Sequence, residues 1–164
     1  MAGQRTTDAE ARALASPLRM RILRICLHEA RTNKQIAEVL GMNPGSTLHH
    51  VRTLVNTGYL RAEEARRGAR GAREVPYRAT RRSWRAHVPG ISSVLIRTFL
   101  DEIEGIPADE LEVSRLGLKL NEHDAAELRT RIYGLLQEYA ARPSDPDGTP
   151  ISLLVTLHPD RSSA

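Results

Sequence analysis

The chain has 164 residues, 40 % of them hydrophobic, with a single Phe and a single Trp, enough for one domain or a small domain with an appendage around a core of Leu, Val, Ile and Ala. One cysteine and no apolar run near the roughly 20 residues of a membrane span exclude an intrachain disulfide, a thiolate metal cage and a transmembrane helix. The net charge of +4 hides an asymmetry: residues 1–100 hold 18 Arg and Lys against 7 Asp and Glu, residues 101–164 hold 6 against 13, and only the basic part is suited to a polyanion.

In chain order, Asp8 is placed to cap a short helix running to Ala15. Ser16 and Pro17 start a second helix with Leu18, Ile22, Ile25 and Cys26 on its buried side. Cys26 reads as a small core residue, and His28 falls near the end of that helix, where a cation suits the dipole.

Residues 32–58 carry the strongest pattern. Thr32 caps a helix with Ile36, Ala37 and Leu40 on one face, and Gly41 ends it, because a left-handed residue is cheap there only for glycine. Asn43 caps the next helix, residues 44–57, with Pro44 at its first position. Thr47, Val51, Leu54 and Val55 line its inner side, and Ala37 is small enough to let the two helices cross closely. The opposite side shows Ser46, Leu48, His49, His50, Arg52 and Thr53. It has hydrogen-bonding groups and a cation but no carboxylate, a composition fitted to the DNA major groove.

After Gly58 the pattern alternates. Leu60, Ala62 and Glu64, then Val75, Tyr77 and Ala79, read as two short strands, with Pro76 assigning the second to a sheet edge. Between them, residues 66–73 form a glycine- and arginine-rich hairpin tip. Placed one strand after such a helix, Arg66, Arg67, Arg70 and Arg73 become a wing that reaches phosphates or an adjacent minor groove.

The runs Leu14-Ala-Ser-Pro-Leu-Arg-Met-Arg-Ile-Leu and Gln35-Ile-Ala-Glu-Val-Leu-Gly-Met-Asn-Pro-Gly-Ser-Thr-Leu-His-His-Val-Arg-Thr-Leu carry a resemblance. Residues 14–80 resemble an ArsR-like winged helix–turn–helix domain of bacterial transcriptional regulators. The resemblance implies a homodimer that binds a palindromic operator in double-stranded DNA and represses transcription. The metal-sensing branch carries paired cysteines near the first helix of the motif. This chain has none there, so thiolate metal sensing is not expected.

Beyond the wing, residues 80–85 leave the hairpin in a helical turn, with Trp84 as a packing anchor. Ile91, Val94, Leu95, Phe99 and Ile103 fall on one stripe of a helix ending near Gly105, read as a dimer seam. In the acidic remainder, a strand from about Leu111 to Leu120 precedes a helix capped by Asn121, with the stripe Ala125, Leu128, Ile132, Leu135, Leu136 and Tyr139. A loop of Pro, Asp and Gly leads to a second strand, Ile151 to His158.

The expected fold is therefore mainly α with small β: a winged helix–turn–helix domain at 8–80, a linker and dimerisation helix at 81–106, and a small strand–helix–strand region at 107–160. That last region is a candidate for dimerisation or for sensing an unidentified small-molecule effector. Expected DNA contacts are Thr32, Asn33 and Lys34 on phosphates, and Asn43, Gly45, Ser46, Thr47, Leu48, His49, His50 and Arg52 at the second helix. The wing arginines Arg66, Arg67, Arg70 and Arg73 complete the set. No phosphate loop, nucleophile elbow or His-Glu-x-x-His is present, and His49 and His50 point about 100° apart on a helix, so neither an enzyme, a cofactor nor a metal is expected. With no signal-like apolar segment at the N-terminus, a cytoplasmic protein with no membrane partner is expected. The alternative is a winged-helix module that uses the same surface to bind a protein and no DNA.

Overall fold

The computed structural model describes residues 6–68 and 71–161. Helices dominate, accompanied by two small antiparallel sheets, and the chain divides into two compact units at Gly105 and Ile106.

The first unit opens with α1 (Asp8–Leu14) and α2 (Pro17–Ile25). The cap of α1 is Thr7 and not Asp8. Thr7 Oγ1 accepts the Glu10 N–H at 3.2 Å while Glu10 Oε2 accepts the Thr7 N–H at 2.8 Å, a reciprocal box that satisfies two orphan donors where Asp8 would satisfy one. Ser16 caps α2 with Pro17 behind it. Next come β1 (Arg31–Thr32), α3 (Asn33–Leu40) and α4 (Pro44–Asn56). Thr32 and Gln35 form a second capping box, Gly41 ends α3 at φ +63°, and Asn43 Oδ1 accepts the Gly45 N–H at 2.7 Å to start α4.

Four strands follow: β2 (Leu60–Ala62), β3 (Arg66–Arg67), β4 (Arg73–Glu74) and β5 (Pro76–Ala79). One sheet runs β1-β5-β2 and the other pairs β3 with β4. β5 is therefore a central strand, contrary to the edge expected from Pro76. The proline occupies the first residue of the strand, opposite Thr32, where its missing N–H costs one ladder bond, and its carbonyl still accepts the Glu63 N–H at 2.8 Å.

A 3-10 turn (Arg82–Arg85) leads to α5 (Ile91–Ile103). Trp84 does not anchor this junction, being 48 % exposed. Ile22, Leu23, Cys26, Ile36, Val51, Leu54, Tyr59 and Leu60 form the core with Leu14, and Ile91 packs against it from α5. Burial pushes the Cys26 thiol up to about 12, so it stays protonated and acts as a packing group. The stripe expected to be a dimer seam is half-buried by its own chain: α5 lies on α2, with Thr98 buried and Arg24 paired to Glu102 at 3.4 Å. Ile96 and Leu100, one turn apart, are the large apolar side chains of α5 left open.

The second unit contains a 3-10 turn (Ala108–Glu110) and α6 (Glu122–Ala141). Asn121 caps α6, its Oδ1 accepting the Asp124 N–H at 2.9 Å. Ala125, Leu128, Ile132 and Leu136 turn inward, whereas Leu135 and Tyr139 of the same expected stripe are exposed. Among the described residues, 111–120 and 151–158 form no strand, against expectation. None of the unit's described residues is buried, so the alternating side chains have no covered face to fix a register. Among the described residues, no helix is long and apolar enough to cross a membrane.

Candidate nucleic-acid interface

Two capped helices joined at a left-handed glycine fix the site. Asn33 Nδ2 donates to the Pro44 carbonyl at 2.8 Å, tying the start of α3 to the start of α4. Thr47 Oγ1 donates to the Asn43 carbonyl at 3.1 Å from a fully buried position, and Val51 and Leu54 continue that inner side. The outer side of α4 is open at Asn43, Gly45, Ser46, His49 and Arg52, with Leu48 half-buried at its margin. Pro44–Asn56 contains no Asp or Glu, so nothing on this helix repels a polyanion.

Several residues expected to contact DNA have other work. Thr32 is 4 % exposed, its hydroxyl accepting the Gln35 N–H at 3.3 Å, and Thr47 is fully buried. Both shape the motif from inside and neither has a side chain free to meet a groove or a phosphate. Asn33 is half-buried and its amide is engaged by Pro44, which leaves Lys34 as the open side chain of that trio. His50 is half-buried beside His49, the ring centroids 5.6 Å apart, and its Nδ1 is buried with no hydrogen-bond partner among the described residues.

Burial, with Arg19 and His49 adding positive charge, holds His50 below its ordinary value of 6.5. The unfolded chain then takes up this proton more readily than the folded one. Stability is fully present above about pH 6.5 and is lost as pH falls through that value. Urea unfolding at pH 7 and pH 5 should show this loss, and His50→Gln should shrink it; an equal loss in the variant would place the acid sensitivity elsewhere.

The wing extends from β2 and β5. Arg66 lies opposite Glu74 and Arg67 opposite Arg73 in the β3–β4 ladder, and all three arginines are exposed. Arg70 lies outside the described residues.

Three other arginines act as braces that the sequence reading passed over. Arg19 donates from Nε to the Ala13 carbonyl and from Nη2 to the Arg12 carbonyl, both at 2.6 Å, closing the C-terminal end of α1. Arg78 joins Glu63 at 2.5 Å to the His28 carbonyl at 2.8 Å. Arg82 pairs with Glu10 at 2.9 Å and lies 5.9 Å from the centre of the Tyr59 ring, beside the end of α4. Gly58 is favoured there because its φ is +71°, a conformation that costs other residues strain, and a Cβ would also push the Arg82 guanidinium aside. A local signal existed only for Arg19, three residues past the Ser16 cap; the partners of the other two are distant in the chain.

Capped α3, a tight turn, an outward-facing α4 and a β-hairpin together define a winged helix–turn–helix fold. Residues 20–64 match a family model described as the IclR helix–turn–helix domain, a DNA-binding domain of transcriptional regulators. Among solved structures, the chain is similar to the homodimeric winged helix–turn–helix DNA-binding domain, fragment 1–100, of a Mycobacterium bovis protein described as a possible ArsR-family transcriptional regulator. The identity is 21 %, the match covers 70 % of this chain and 100 % of that one, and the TM-score is 0.36. No curated protein matches the chain.

Proposed function

We propose that this chain is a sequence-specific regulator of the ArsR-like kind, a cytoplasmic homodimer that represses transcription by binding a palindromic site in double-stranded DNA. The observation that carries the reading is the open, carboxylate-free side of α4, followed in the chain by an arginine-tipped hairpin. α4 enters the major groove, where Ser46, His49 and Arg52 reach base edges and Leu48 meets a thymine methyl. Lys34 and the start of α3 hold a phosphate, and Arg66, Arg67 and Arg73, with Arg70, take the backbone or the minor groove. Thr32, Asn33, Thr47 and the buried edge of His50 keep α4 at its angle.

Arg52 tests the reading directly. If it donates to both O6 and N7 of a guanine, Arg52→Ala costs about 1–3 kcal/mol in binding and relaxes preference at one base pair. Titrating the variant against matched duplexes that differ at single positions checks this. A loss equal on every duplex would make Arg52 a phosphate contact, and no loss would remove α4 from the groove.

The two copies meet along the open side of α5. Ile96→Glu with Leu100→Glu is expected to raise the dimer dissociation constant at least tenfold, because each charge would enter an apolar seam. Sedimentation equilibrium measures it; an unchanged constant would move the seam off α5.

A further inference from the structure

The second unit has a property that its sequence and its burial share. Ile151, Leu153, Val155 and Leu157 alternate along one segment and are 83, 69, 42 and 55 % exposed, while Leu154 between them is half-buried. Leu116 and Leu118 of the other apolar segment are 78 and 50 % exposed. The two segments approach each other, with Asp160 Oδ2 3.9 Å from where a Cβ would sit on Gly117. A contiguous exposed apolar patch on a soluble chain commonly marks an interaction surface.

The pattern of the segment says what can pair with it. Read backwards, Ile151-Ser-Leu-Leu-Val-Thr-Leu157 repeats its own chemistry: apolar, hydroxyl, apolar, apolar, apolar, hydroxyl, apolar. It carries no charge, so it does not repel itself, and Pro150 and Pro159 bound it on both sides, where a missing N–H ends a ladder. Set antiparallel to its own copy about a two-fold axis through Leu154, Leu154 meets Leu154, Leu153 meets Val155, Ile151 meets Leu157 and Ser152 meets Thr156. In that register Asp147 falls level with Arg161 of the partner subunit, opposite charges at both ends of the ribbon. Self-complementarity of this kind is what an isologous two-fold contact requires.

We propose that residues 151–157 are an interface between two copies of this chain, pairing antiparallel about Leu154. The proposal rests on the homodimer reading above and adds a second contact with a fixed register. An exposed, uncharged, β-prone segment is an aggregation hazard through its open backbone edge, and pairing with its own copy satisfies one such edge.

Cysteine cross-linking of the full chain under mild oxidation tests the register, since facing residues of an antiparallel pair hold their Cα atoms about 4.5–5.5 Å apart, within disulfide reach. Cys26 is buried and stays out of the reaction. Leu154→Cys alone should give a covalent dimer. Ile151→Cys and Leu157→Cys should cross-link when mixed and not separately, and Leu154→Arg should raise the dimer dissociation constant at least tenfold. Absence of the 154–154 cross-link in a chain that is still dimeric, with Ile96→Glu and Leu100→Glu weakening that dimer, would overturn this contact and leave the α5 seam standing. A disulfide forming within one chain in the Leu118→Cys, Leu154→Cys double variant, in place of the interchain bond, would overturn it too. A chain that is monomeric throughout would remove both contacts.

Discussion

Neutralising Arg66, Arg67 and Arg73 together to alanine is expected to flatten the salt dependence of DNA binding by about three units in log–log slope. Each phosphate contact releases counterions worth roughly 0.9 of a unit on duplex DNA. All three side chains are exposed, on a two-rung ladder that adds little to the core, so the variant should fold normally and lose affinity on every sequence alike. Glu74 supplies the internal control. It stands opposite Arg66 in the ladder, so Glu74→Gln removes the wing's own carboxylate and should tighten binding at low salt. Fluorescence titrations from about 50 to 200 mM salt, the range over which such contacts are lost, distinguish the outcomes. An unchanged slope in the triple variant would take the wing out of the interface.

Leu54→Ala is expected to be the most damaging single truncation on α4, at about 2–5 kcal/mol. Its side chain is fully buried with Ile36, Val51 and Leu60, so removal loses transfer energy and leaves a cavity that a close-packed helix pair cannot collapse around. Against a typical stability of about 5–15 kcal/mol, that is a large share of the whole. Leu48→Ala on the same helix makes the contrast. Leu48 is half-buried at the margin of the open side, so its truncation should cost much less stability and show instead as weaker DNA binding. Paired denaturation and binding measurements on the two variants separate the packed side of α4 from its open side. Equal stability losses would contradict the assignment of sides.

The helix–turn–helix was legible in the sequence because every signal in it is local. Thr32, Gly41, Asn43, Pro44 and Gly58 each act within four residues, and the spacing of Ile36, Ala37, Thr47, Val51 and Leu54 names the packed side. Other features depended on partners far along the chain. Arg31–Thr32 is too short to show any period, yet it pairs with residues 76–77 and turns an expected edge strand into a central one. Arg82 gains its role from Glu10 and the end of α4, which no spacing rule brings together. The Thr7–Glu10 box is local as well, with Asp8 at the next position offering a competing acidic cap.

The exposure of individual residues is less legible in the sequence than the motif. A helix shows which residues share a side, but the width of the buried strip depends on how closely the next element approaches. Ala37 lets α3 and α4 come together, and that closeness buries Thr47 and engages Asn33 at Pro44, leaving Ser46, His49 and Arg52 open beside Asn43 and Gly45. In the second unit, alternation at 111–120 and 151–158 suggests strands that the structure does not form, because a strand needs a partner edge and the described residues supply none.

Selection of bound fragments from random duplex DNA, with the full chain at low and at near-physiological salt, tests the central claim most directly. Enrichment of a palindrome whose half-sites lie about one helical turn apart, lost when Arg52 is replaced by alanine, is the predicted result. Recovery of no enriched sequence, with binding that barely changes between the two salt concentrations, would contradict it and assign the open side of α4 to a protein partner.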